Sequence, residues 1–162
     1  MDFLIGIPRA DSVESFISEI QTLGDEHGSL IQAIDPTYCA GTGHLETAFA
    51  KAAHARETGE AIADDPALEV LLYVAGTRQI EQALTIGPSS VDDPVLVVWH
   101  EGDEVAVREE MESTLGSVRE TWTPDSDRIA EWFDISEQER NATTASLEEL
   151  VIERVALLVL DT

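Results

Sequence analysis

Apolar positions recur along the chain in two spacings, and each predicts a different element. Short apolar runs at residues 3–7, 29–34 and 95–99, closed or opened by Pro8, Asp35-Pro36 and Asp92-Asp93-Pro94, have the length and punctuation of strands. A fourth run at 69–74, ending at Gly76, is also read as a buried strand. The other spacing is helical. Val13, Phe16, Ile17 and Ile20 share one face of a helix that Asp11 can cap, with Glu14 at the capping-box position, running to about residue 23 before a loop at 24–28. Leu45, Phe49 and Ala52 do the same on an Ala-rich helix at 44–58 that Gly59 ends. After Gly76, Thr77 can cap a short helix with Ile80, Ala83 and Leu84 as its apolar stripe, stopping at Gly87. Helices follow at 104–115, stopped by Gly116, at 125–133 after Thr123-Pro124, and at 145–160, with a capping box at Ser136 and Glu139. Strands interleaved with helices, without an internal repeat or a Gly/Ser linker, predict one mixed α/β domain over residues 1–162. Its expected core is a central four-stranded, largely antiparallel sheet flanked by several helices.

The last helix has two apolar faces. Leu147, Leu150, Val151, Val155 and Leu158 lie on one side, and Ile152, Ala156 and Val159 on the other. Such a helix is either wholly internal or packs on its own core with one face and on a partner with the other. Arg154 falls within the broader stripe, where a guanidinium needs an acceptor, supplied by a partner or reached by snorkelling within the monomer.

Composition changes this picture mainly through charge. The chain has 33 acidic against 9 basic residues, a formal net charge of -24, with Lys51 its one lysine. The acids are spread along its whole length, as on a solvated acidic surface. Salt screens the self-repulsion such a surface creates, so a salt-accumulating, halophilic cytoplasm is expected; full heat stability in low-salt buffer would refute this. A broad basic platform for nucleic acid is excluded, and any RNA contact must be small and local. No signal peptide is visible and no segment approaches the roughly 20 apolar residues of a membrane span, so a soluble cytoplasmic protein is expected. Cys39 has no second cysteine to pair with and reads as a buried thiol.

Candidate chemistry is sparse. Ala40-Gly41-Thr42-Gly43-His44 precedes a helix, but it lacks the full glycine pattern and the basic residue of a phosphate loop and reads as a helix entry. His44-Leu45-Glu46 lacks the Pro-Cys-x-x-Cys partner of zinc deaminases. His44, Lys51 and His54 share one helical arc, either a solvated face or a local phosphate contact. Arg56 lies toward the apolar side, within reach of Glu69 or another acid. Arg78 opposes the helix dipole at the start of its helix, which invites a functional or pairing reason. No nucleophile stands beside a base; no catalytic residue, metal ligand or cofactor is assigned, and a non-enzyme is expected.

Several of these segments together resemble a known family. They are His44 with the Ala-rich helix, Ala61-Ile62-Ala63, Glu69-Val70-Leu71-Leu72-Tyr73-Val74-Ala75-Gly76-Thr77-Arg78-Gln79-Ile80, Ala83-Leu84-Thr85-Ile86-Gly87, and Glu153-Arg154-Val155-Ala156-Leu157-Leu158-Val159-Leu160. They are similar to the archaeal regulatory subunit of the KEOPS complex, whose eukaryotic relative is the binding protein of the PRPK kinase. The resemblance implies a non-catalytic subunit of the machine that makes threonylcarbamoyladenosine in tRNA. It implies docking on the small kinase-ATPase of the complex, an indirect association with its catalytic subunit, and capture of the CCA end of tRNA. Carried over, Leu150, Val151, Arg154, Val155 and Leu158 would face the kinase. Lys51, Arg78, Gln79, Ile80, Ala83, Leu84, Ile86 and Gly87 would form or flank the CCA site. A single-stranded end can be held by apolar and stacking contacts that need little net positive charge. Archaeal relatives often carry lysines after the Ala-rich helix; this chain has Glu57, Thr58, Gly59 and Glu60 there. A protein-only regulator of the kinase, without effective RNA binding, is the alternative.

Overall fold

The computed structural model describes residues 1–158. In chain order its elements are β1 (Asp2–Pro8), α1 (Val13–His27), β2 (Leu30–Ile34), α2 (Thr42–Glu57), α3 (Pro66–Ala75), α4 (Ile80–Leu84), β3 (Val95–His100), α5 (Glu104–Thr114), β4 (Leu115–Arg119), α6 (Ser126–Trp132), α7 (Glu137–Asn141) and α8 (Leu147–Leu157). The architecture is mixed α/β with a four-stranded antiparallel sheet, as expected, and the strand order is β2-β3-β1-β4. The chain falls into two compact units. Met1–Pro36 and Gly87–Thr123 form a sheet unit, while Thr37–Ile86 and the chain from Pro124 on form a helical one.

In the sheet unit, Leu4, Ala33, Val95, Val97 and Trp99 meet Phe16, Ile20 and Leu23 of α1 and Val107 and Met111 of α5. Each large side chain so buried contributes about 1.5–3 kcal/mol. Ile5, Ile34, Leu96 and Val98, which alternate with these along the strands, are buried too, which is why the strands show no polar alternation. The cap of α1 is Ser12 rather than Asp11: its Oγ accepts from Ser15 N at 3.1 Å, and Ser15 rather than Glu14 completes the capping box. α1 also runs through the expected loop to a left-handed Gly28.

The helical unit corrects the sequence reading most. Residues 69–74 belong to α3, not to a strand. An apolar run fits a buried strand and a buried helix equally, and the deciding signal lies upstream: Asp65 accepts from Ala67 N at 3.1 Å and Pro66 takes the first helical turn. Every α3 residue from Glu69 to Ala75 is buried. The fourth strand is instead β4, which contains Gly116, the expected helix stop. It is an edge strand burying only Leu115, so it lacks an apolar run. α2 buries His44, Leu45, Ala48, Phe49, Ala52 and Ala55, and α8 buries Leu150, Val151 and Val155. Val159 and Leu160, expected to continue α8, lie outside the described residues.

Candidate nucleic-acid interface

α3 ends at Gly76, and the geometry there shapes the neighbouring surface. Gly76 has φ 66, and a Cβ on it would lie 2.8 Å from Cε1 of Phe133, so only glycine admits both the left-handed turn and the ring. The chain then enters α4, five residues long. Its N-cap is Gln79, not Thr77; the Thr77 hydroxyl accepts from Gln79 N at 3.1 Å and donates to Gln82 Oε1 at 2.9 Å. Beside this turn opens a cleft of about 690 Å³, lined by Thr77, Gln82 and Thr85 on one side and by Trp132, Phe133, Asp134, Arg154 and Leu157 on the other. Trp132 donates its indole N–H to Ala75 O at 2.9 Å and meets Tyr38 edge-on, while Arg128 lies 5.1 Å from the centre of the Tyr38 ring.

The residues proposed for RNA contact divide into two groups. Ile80 and Leu84 are 42% and 58% exposed, unusually open for large apolar side chains. Gln79 is exposed, and Arg78 and Lys51 are half-buried. Ala83, Ile86 and Gly87 are buried, because the α4 stripe turns Ala83 inward and leaves its two larger neighbours outside; these three are core. Neither Arg78, Ile80, Leu84 nor Lys51 lines the cleft itself, whose α4 wall is Gln82 with Thr85 beyond it. Arg78 lies close enough to Tyr73 to lower its phenol, against the stronger upward push of burial and of Glu69.

His44 is no part of a cationic arc. It is fully buried, its Nδ1 accepts from Ala40 N at 3.1 Å, its Nε2 donates to Val74 O at 2.8 Å, and desolvation lowers its pKa to about 4. The imidazole is therefore neutral and structural. The glycine-rich helix entry holds no open anion cradle, since the Glu148 carboxylate packs over it, in the space a Cβ on Gly41 would need. Burial, with the charges of Glu46 and Glu149, pushes that carboxyl up. Arg56 does not reach Glu69. It donates to Asp64 O at 3.2 Å, and Glu69 instead accepts from Ile62 N at 2.9 Å and Ala63 N at 2.8 Å, tying the 61–64 loop to α3.

The face of α8 expected to meet the kinase is internal. Leu150, Val151, Val155 and Leu158 are at most 5% exposed, so these side chains form the core of the helical unit. Arg154 finds its acceptors within the chain: Nη2 and Nη1 donate to the Glu139 oxygens at 2.7 and 3.0 Å, Nε to Phe133 O at 2.9 Å and Nη2 to Asp134 O at 3.4 Å. This pairing holds the Glu139 carboxyl below its ordinary value. The outward face carries Glu149, Glu153 and Leu157, the last 51% exposed, flanked by half-buried Ile152 and Ala156. Sequence reading missed Trp132, Phe133 and Glu139. The demand of Arg154 for an acceptor was the one signal that led toward them. Among the described residues one metal-ligand set converges, Glu26, His27 and Glu110, on the sheet unit; both carboxylates are exposed, and His27 already pairs with Glu110 at 3.3 Å.

Fold and cleft together define a mixed α/β protein with an open groove on its helical unit, lined in part by Trp132 and Phe133. The family model of the kinase binding protein CGI-121 matches residues 14–158. The chain belongs to this family. A comparison with curated proteins finds no match.

Proposed function

We propose that the protein is the non-catalytic regulatory subunit of a KEOPS-type complex, docking on its small kinase-ATPase and bringing tRNA to it by the CCA end. Membership of a kinase-binding family supports the first half. One observation carries the second: Arg78, which lies just before the Gln79 cap rather than in the first turn of α4, has no ion-pair or hydrogen-bond partner among the described residues of a chain with 33 acids, and the Ile80 and Leu84 that follow it face solvent. A cation left unpaired in so acidic a protein is available to a phosphate, and exposed apolar side chains beside it offer a floor for unstacked bases. The docking surface is the outward face of α8, formed by Glu149, Glu153 and Leu157, the last of which also borders the cleft. A salt-rich cytoplasm and an indirect link to the catalytic subunit complete this reading.

Gel-shift assays in multimolar potassium chloride, comparing tRNA with and without its CCA end, test the RNA half. Retardation of the intact tRNA alone is expected, and equal or absent binding to both would overturn it. The net charge of -24 favours the second reading, a protein-only regulator, and absence of binding to either tRNA is the outcome it expects. Co-purification of the kinase from the native cytoplasm tests the docking half.

A further inference from the structure

The cleft has one basic side chain in its lining, Arg154, and a carboxylate of the chain itself already occupies it. Glu139 reaches Arg154 from α7, a five-residue helix that buries none of its residues. Its backbone N–H bonds the Ser136 cap at 3.0 Å, but its side chain does not return to close the capping box; it crosses to Arg154 instead. We propose that the Arg154–Glu139 pair is a latch that sets the affinity of the cleft for a phosphate of the RNA end, with Glu139 holding the place the phosphate takes. The inference rests on the RNA reading above and extends it, from the surface of Arg78, Ile80 and Leu84 to the cleft whose lining begins next to Arg78 at Thr77.

Three features make the exchange physically straightforward. A guanidinium fork accepts a carboxylate or a phosphate in the same two-pronged geometry. The bonds from Arg154 to the Phe133 and Asp134 carbonyls do not involve Glu139, so the fork stays positioned when the acid changes. The pair is also open to solvent, its side chains 28% and 37% exposed, and α7 has no buried residue to hold it down if Glu139 lets go. Trp132 and Phe133 in the cleft wall would then flank the nucleoside attached to that phosphate.

The test is fluorescence anisotropy with a short single-stranded RNA ending in CCA, at one fixed potassium chloride concentration in which circular dichroism shows every variant folded. Glu139→Ala is expected to bind at least about fivefold more tightly than wild type, and Glu139→Gln to gain less. Glu137→Ala, which removes the same charge without touching Arg154, gives the effect of net charge alone. The double variant Glu139→Ala/Arg154→Gln is expected to lose the gain. The latch is overturned if Glu139→Ala binds no more tightly than Glu137→Ala, or if the gain survives in the double variant. Wild-type binding with either of those results removes the latch and keeps the RNA reading; no binding by any variant removes both.

Discussion

Acidification is expected to remove stability through one buried imidazole. His44 is neutral because its Nδ1 accepts the Ala40 amide and its Nε2 donates to Val74 O, with the Phe133 ring edge-on at 5.6 Å. A second ring proton would abolish the Ala40 bond and place a charge where no water reaches. Desolvation thus lowers its pKa from 6.5 to about 4, and the Val74 carbonyl opposes this only in part. In the unfolded chain the same residue takes up its proton near pH 6.5. Between these values the unfolded state binds a proton that the folded state refuses, so the stabilisation is complete above about pH 6.5 and falls as pH drops toward about 4. At about 1.4 kcal/mol per pH unit this amounts to about 3 kcal/mol. The many carboxylates also titrate there, so the effect is read as a difference. Urea unfolding at constant potassium chloride is compared for wild type and His44→Gln from pH 7.5 to pH 4. The advantage of wild type at pH 7.5 is expected to shrink by about 3 kcal/mol. Parallel curves over the whole range would refute the assignment of a neutral, buried His44.

Other outcomes follow from the same contacts. Glu69→Ala orphans the Ile62 and Ala63 amides, and at about 1–3 kcal/mol for each the loss in urea unfolding is expected near 3 kcal/mol; Glu69→Gln, which keeps one acceptor oxygen, loses less. Equal losses for the two variants would mean that side-chain volume matters there and the hydrogen bonds do not. Val155→Glu places a charge at a fully buried position and is expected to abolish the folded circular dichroism spectrum, whereas Leu157→Glu stays folded and no longer co-purifies with the kinase. A folded Val155→Glu protein, or unchanged kinase capture by Leu157→Glu, would reverse the assignment of the two α8 faces.

What the sequence made legible depended on whether local chemistry determined the answer. The three apolar strands were readable because their signals are local, short apolar runs closed or opened by Pro8, Pro36 and Pro94; the cap of α5 at Asp103 was not read, although its side chain accepts from Ala106 N. α3 was misread because a helix buried on every side has no amphipathic stripe to display, and only Asp65-Pro66 marks its start. β4 was missed because an exposed edge strand need not be apolar. The candidate site followed the same division. The Gly76 turn and the apolar Ile80 and Leu84 were visible in residues 69–87, though not the exposure of those two side chains, while the opposite wall of the cleft comes from residues 132–157, which only the packing of the helical unit brings near. Which face of α8 looks inward was undetermined, because apolar residues on both sides give a helical pattern two equivalent solutions.

The interleaving of the two units bears on how the chain folds during synthesis. β3 pairs with β1 and β2, both made before the whole first helical segment, in a register joining Leu30 to His100 and Asp2 to Trp99. The helical unit in turn waits for α6, α7 and α8, the last three described helices to emerge. Neither core can close until most of the polypeptide has left the ribosome, and pairings so distant in sequence close slowly. The β1 and β2 edges therefore stay without their β3 partner throughout that interval, and the net charge of -24 carried by each full chain opposes the approach of a neighbouring one.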